Sequence, residues 1–485
     1  MFPRDPEHSL LSEKRAKASQ YGKPQLHPKM KGRVSRLGKY GVVVVLLMAA
    51  VAFAQDQNGS GTHDMSTMPC ASRPDGQKAD MGCGHPAQMH AGYARTHTFI
   101  ETITQHATSG TSVEPNSTPA SMLMTMKDGW MLMFHGEAFL NGVQQSGLRG
   151  ADKFFSTNWF MPMAQRKVGR GTFTVRTMLS LEPATVTHRY YPELFQQGET
   201  AFGKPIVDGQ HPHDFIMELA ALYDLKIGEH GLFSLYFAPV GDPAMGPTAY
   251  PHRASASEDP IAPLGHHLED STHIADDVIT AGMTYKLVRL EASGFHGREP
   301  DEFRWDIDSG NIDSWSLRAT VNPAENWSAQ YSFGYLASPE ALHPGEDLDR
   351  MTASIMYNRP LVHGNWANTL LWGRNSTSDG LVWNGYLAES TLRFAERNFV
   401  WGRIEDADRT DELLLPNQSE PPGLPESIIG RAQAYTLGYD RDFMLPHLRI
   451  APGIQFTAYT TPNSLKGQYG SHPFGAVMFL RIRPR

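Results

Sequence analysis

From about residue 129 to the end of the chain, apolar and polar side chains alternate with a period of two. Trp327, Ala329, Tyr331, Phe333 and Tyr335 are separated by Ser328, Gln330, Ser332 and Gly334. Trp315, Leu317, Ala319 and Val321 interleave with Ser316, Arg318 and Thr320, and Phe173, Val175, Thr177, Leu179 and Leu181 stand against Arg176 and Glu182. Tyr386, Ala388, Leu392 and Phe394 oppose Glu389 and Arg393 in the same way. Successive side chains of a strand point to opposite faces, so each run predicts a strand with one apolar and one polar face. Strands are predicted near 129–140, 154–164, 171–182, 215–226, 231–240, 277–286, 288–297 and 313–322. They continue near 326–336, 350–358, 366–374, 385–395, 399–405, 431–440, 449–459 and 475–483. The composition of 215–226 also suits a helix, but Phe215, Met217, Leu219 and Tyr223 lie opposite Glu218 and Asp224 at strand spacing.

The connections alternate between long and short. Asn141–Lys153, Pro183–Asp214 and Gly241–Asp276 are long, whereas Gln165–Arg170, Lys226–His230 and Asn322–Asn326 are short. A soluble sandwich has no reason to sort its loops by parity, whereas a bacterial outer-membrane barrel carries short turns at its periplasmic end and long loops outside. The expected fold is therefore all-β, an antiparallel transmembrane β-barrel of about 16 strands (14–18), with a soluble exported all-β binding protein as the alternative. An even strand number places both ends of the barrel chain in the periplasm, with Pro183–Asp214, Gly241–Asp276 and Asp406–Gly430 external. Trp130, Trp315, Trp327, Tyr335, Trp366, Trp401, Tyr439 and Tyr459 fall near strand ends, where aromatic girdles would place them. The final residues Arg483-Pro484-Arg485 depart from the aromatic ending common in such barrels.

One long apolar run changes the picture. Gly41 to Ala54 is too short to span a bilayer, follows Lys31, Arg33, Arg36 and Lys39, and ends on the small residues of Ala52-Phe53-Ala54. It reads as a signal peptide cleaved before Gln55, with Met30 as the expected true start; an uncleaved anchor helix is the alternative. The expected organisation is a basic leader and signal over 1–54, a flexible periplasmic arm over 55–128 and the barrel over 129–485. Residues 1–40 hold ten Lys/Arg against three Asp/Glu, so the remainder carries about −15 against −8 for the whole chain. No basic stripe remains to neutralise phosphates, which argues against a nucleic-acid partner.

The arm is rich in Gly, Ser, Thr, Pro, Met and His and cannot bury a core of its own. Within it, His63, Met65, Met68, Cys70, Met81, Cys83, His85, Met89 and His90 supply thioether, thiol and imidazole groups that suit a soft copper ion. Cys70 and Cys83 could equally form a disulfide in an oxidising periplasm, leaving a linker with incidental methionines. Met131, Met133 and His135 should share the lumen side of their strand with Glu137; a methionine stripe is ordinarily packing. A Met/His-rich arm ahead of a barrel resembles the outer-membrane copper-resistance protein B family, and the loop rhythm resembles porins. These resemblances imply a bacterial outer-membrane location with lipid, small solutes or metal ions as partners, and homo-oligomers are familiar among porins.

A second histidine group falls in the long loops: His211, His213 and Asp214, then His252, then His266, His267 and His273 with Asp276. These are imidazole and carboxylate ligands for a divalent metal, or solvated loop residues. No nucleophile elbow, phosphate loop or His-Glu-x-x-His helix is present, so no enzyme is expected. The alternative is a metal-dependent outer-membrane enzyme with a hydrolytic metal on His211, His213 and His273 and Glu269 as base. The first expectation remains a porin-like channel with a metal-handling role, its lumen lined by Arg176, Glu218, Arg289, Glu291, Arg318, Glu389, Arg393 and Arg481.

Overall fold

The computed structural model describes residues 96–270, 274–415 and 426–485. The predicted signal peptide, the ligands from His63 to His90, Cys70 and Cys83 among them, and His273 lie outside the described residues. Among the described residues no helix is long and apolar enough to cross a membrane.

Sixteen long antiparallel strands close on themselves. In chain order they are β1 (Trp130–Gln145), β2 (Lys153–Val168), β3 (Gly171–Leu179), β4 (Ile216–Ile227), β5 (Gly231–Gly241), β6 (Ala275–Tyr285), β7 (Val288–His296) and β8 (Ser314–Ala324). There follow β9 (Trp327–Leu336), β10 (Leu348–Leu361), β11 (Gly364–Thr377), β12 (Val382–Phe394), β13 (Asn398–Thr410), β14 (Ile428–Arg441), β15 (Leu448–Thr460) and β16 (Phe474–Pro484). β16 pairs with β1, Ile482 facing Ala138, so the sheet has no free edge. A lead-in strand, Leu123–Lys127, pairs with the first turns of β1. The 215–226 segment is a strand as expected, with a register shift where Leu179 meets Ile216.

The two faces invert the order of a soluble protein. On β8, Trp315 and Leu317 are exposed while Ser316, Arg318 and Thr320 are buried; on β9, Tyr331 is half exposed while Ser328 and Ser332 are buried. The same outward apolar face runs through Leu290, Ile355, Leu370, Ile404 and Leu437. In water that surface would be costly, at about 25 cal/mol per Å². In hydrocarbon it is the favoured one, and closure leaves the wall no free sheet edge. The chain is a bacterial outer-membrane β-barrel.

Girdle residues Trp315, Trp327, Trp366 and Tyr439 are exposed on the outer face. Trp401 and Tyr459 are not: both point inward, Trp401 packing with Phe139 and Phe479 and Tyr459 with Phe195. Strand phase, more than proximity to a strand end, decides which side an aromatic ring takes.

The lumen is filled, and this corrects two expectations. First, the last part of the supposed flexible arm is ordered inside the barrel. Helix α1 (Phe99–Gln105) opens on a capping box made by Thr98 and Glu101. Beyond it, Arg176 Nη1 donates to the Thr108 carbonyl at 2.7 Å, Gly110 N–H donates to Glu218 at 3.0 Å, and Asn322 Nδ2 donates to Asn116 Oδ1 at 2.8 Å. A polar segment needs no core of its own when a polar lumen supplies its partners. Second, the long loops 180–215 and 242–274 fold inward: most residues of the first and nearly all described residues of the second are buried. Leu181 and Glu182 accordingly leave the wall and enter the first of these loops, where α2 (Glu182–Thr185) forms. The charged lumen residues meet the inserted segments and one another. Arg253 of the second loop pairs with Glu389, and Arg318 pairs with Glu291 while also donating to Thr111. Arg403 spans Asp259 and the carbonyls of Ile261 and Ala262, and Arg481 meets Glu258, Asp440 and Asp442.

Candidate metal centre in the lumen

Loop 180–215 returns to the wall through Gln210-His211-Pro212-His213-Asp214, and loop 242–274 ends in the single turn α3 (His266–Glu269). Two wall glycines let α3 lie against the inner surface. A Cβ at Gly373 would collide with the Leu268 carbonyl, and one at Gly385 would press on the Leu268 and Glu269 side chains. The approach of the two loops brings His211, His266 and His267 together, one ring nitrogen from each lying within 4.8 Å of the others. The imidazole rings of His266 and His267 are 5.0 Å apart, and those of His211 and His267 are 5.7 Å apart.

Glu199 supplies a carboxylate between two of the rings, with Oε1 3.1 Å from His211 Nε2 and 3.9 Å from His267 Nδ1. His211 Nδ1 lies 3.0 Å from the Pro212 carbonyl. An imidazole donating there presents its Nε2 lone pair towards Glu199, an arrangement that only an imidazolium or a shared cation satisfies. Burial lowers the pKa of His211 despite the opposing pull of Glu199, and burial with His266 beside it lowers His267 well below the usual histidine range. Although burial works against it, His211, His267 and Arg304 hold Glu199 below the ordinary carboxylate range. At neutral pH His211 and His267 are therefore neutral imidazoles beside an ionised carboxylate, the protonation states in which metal ligands bind. His266 Nδ1 sits 2.5 Å from Asp270, which fixes a ring tautomer as a carboxylate behind a ligating histidine does.

The sequence-predicted group divides here. His211, His266 and His267 come together. His213 turns aside to Glu182, with Nδ1 3.0 Å from its carboxylate, and Asp214 is held 3.2 Å from Arg304. Burial pushes Asp214 up to about 6, against Arg304. His211 and His213 are not a pair on one ion, because the His213 ring is turned to the Glu182 carboxylate. Sequence reasoning missed Glu199 and Arg304. Neither carries a spacing signal, because each reaches the site from a different loop.

Chains of known structure share the barrel shape. They include the anion-selective porin of Comamonas acidovorans, at 12% identity and a TM-score of 0.46 over 73% of this chain and 99% of that one. OprB of Pseudomonas putida shows 9% identity and a TM-score of 0.47 over 73% and 94%. The outer-membrane channel DcaP of Acinetobacter baumannii shows 10% identity and 0.42 over 74% and 99%. At such identities no residue role carries across. No protein-family model and no curated protein matches the sequence.

Proposed function

We propose that this porin-like barrel handles transition-metal ions at the outer membrane, copper among them, and holds an ion on His211, His266, His267 and Glu199 inside its occupied lumen. The observation that carries the reading is the convergence of three buried imidazoles and a carboxylate from two separate inserted loops. Three nitrogens and an oxygen suit Zn(II), Cu(II), Co(II) or Ni(II). The layout it shares with the copper-resistance protein B family adds the soft-ligand arm from His63 to His90 as a collecting segment on the periplasmic side. In this reading the inserted loops form a gate, and passage requires loop 242–274 to move.

Cobalt(II) tests it on the full-length protein, because its visible spectrum separates nitrogen and oxygen ligation from thiolate ligation by the arm. Wild type should take one N/O-ligated Co(II) that the triple variant His211→Asn, His266→Asn, His267→Asn does not. Equal N/O-type binding by both would sink the proposal. For the arm, a His63–His90 peptide with reduced cysteines should bind Cu(I), and its Met/His/Cys-to-Ser version should not.

A further inference from the structure

Methionine is distributed unevenly in the barrel. Met283 and Met478 face outward, exposed like the other apolar wall residues. On the opposite side of the wall, Met122, Met133, Met161, Met163, Met178 and Met217 form one buried cluster on the lumen face of β1 to β4 and the lead-in segment. Across the β1–β2 ladder Met133 faces Met163 and His135 faces Met161, so the thioethers and an imidazole share one surface. Methionine packing alone would explain the thioethers. It does not explain two histidines among them.

His135 is buried, and its Nε2 has no hydrogen-bond partner among the described residues. It borders a cavity of about 170 Å³ that Trp159 and His252 also line. The His135 and His252 rings lie 5.8 Å apart. His252 arrives from the inserted loop 242–274, and its Nε2 stands 3.3 Å from Met178 Sδ. Trp159 closes one side, its ring 4.2 Å from that of His252 and 5.0 Å from that of His135. A buried imidazole nitrogen without a partner is an unfavourable arrangement that a bound cation relieves. Imidazole with thioether is a donor set that selects a soft monovalent ion over a hard one.

We infer that the lumen holds a second metal site, in which His135, His252 and Met178 take a soft monovalent ion, Cu(I) or Ag(I), with the surrounding methionines as its adaptable wall. It shares no ligand with the histidine triad and stands whether or not the triad binds. Loop 242–274 supplies His252 to one site and His266 and His267 to the other, so both would be lost if that loop left the lumen.

Ag(I) is the probe, since it binds as Cu(I) does and needs no reductant. With the full-length protein, silver retained after desalting should fall by one equivalent in the double variant His135→Gln, Met178→Leu. The same variant should lose the part of the silver-induced fluorescence quenching that Trp159→Phe also removes. The triple triad variant should keep both signals. Unchanged stoichiometry and unchanged Trp159-dependent quenching in the double variant would overturn the inference. Should the double variant fail to form a barrel, judged by its migration before and after heating, Met178→Leu alone decides: tenfold weaker binding at the quenching step supports the site, and unaltered affinity removes it.

Discussion

Loops 242–274 and 297–313 join adjacent hairpins at the same end of the barrel, yet they have opposite fates. In the first, the described residues are mostly buried, and its backbone is bonded to the inner wall: Ala244 N–H donates to Ser293, Gly246 N–H to Ser332, and Arg409 Nη2 to the Leu264 carbonyl. In the second, Phe303, Trp305, Ile307 and Ile312 are exposed, and only Arg304 and Glu299 among its long side chains are drawn inward, Arg304 to Asp214 and Glu199 and Glu299 to within 4.8 Å of Glu199 and His267. The difference is one of partners. Loop 242–274 carries Arg253 opposite Glu389 and Asp259 opposite Arg403, so its charges complete those of the wall. Loop 297–313 carries Asp301, Asp306 and Asp308, which no wall arginine meets. A long connection enters the lumen when the lumen compensates what it buries.

The comparison breaks most severely at Arg253, whose side chain is fully buried, 2.5 Å from Glu389, and also donates to the Thr248 carbonyl. Arg253→Ala strands Glu389 in the lumen and should destabilise the seated loop by about 3–5 kcal/mol. Planar-bilayer recording should then show a conductance that wild type lacks, and Arg253→Ala with Glu389→Gln should restore part of the closed state. Identical conductance in wild type and Arg253→Ala would mean that the loop does not gate.

Protease added to intact cells sharpens the same contrast. Cleavage is expected within 298–313 and not within 242–270, because only the former offers exposed backbone to a protease. Cutting at 242–270 in the folded protein would place that loop outside the lumen.

A smaller effect is expected where the outer loops meet. His343 Nε2 lies 3.4 Å from Glu426, and the hydrogen bond to that carboxylate is the main cause that raises its pKa to about 9, with Glu340 and Glu346 also facing it and burial opposing. A histidine raised on folding contributes stability that is complete below its unfolded value near 6.5 and is lost as pH rises through about 9. Protection factors in loop 337–347, with exchange measured relative to the intrinsic base-catalysed rate, should therefore fall between those limits, and His343→Gln should abolish that fall. The arginine-anchored loop 242–274 should show no such change over the same range. Smallest of all, Ile307→Ser should shift thermal stability by less than about 0.5 kcal/mol, since the side chain is exposed. A larger loss would show that loop 297–313 is seated as firmly as its neighbour.

The wall was legible in the sequence because period-two alternation is a local property. Ser316, Arg318 and Thr320 had to face one way and Trp315 and Leu317 the other, whatever the rest of the chain did. Loop parity then supplied strand order and closure. His211, His266 and His267 were legible as ligand types, but not as a set with Glu199, because which loop residues meet depends on both loops entering the lumen together. The arm's last segment was misjudged for the same reason: its polarity forbids a core of its own, but does not forbid docking on Arg176, Glu218 and Asn322. Chain chemistry by itself determined an inside-out barrel, since backbone periodicity and lipid compatibility act residue by residue. Only the tertiary structure decided what fills it, because compensation of a buried charge depends on a partner far away in the chain.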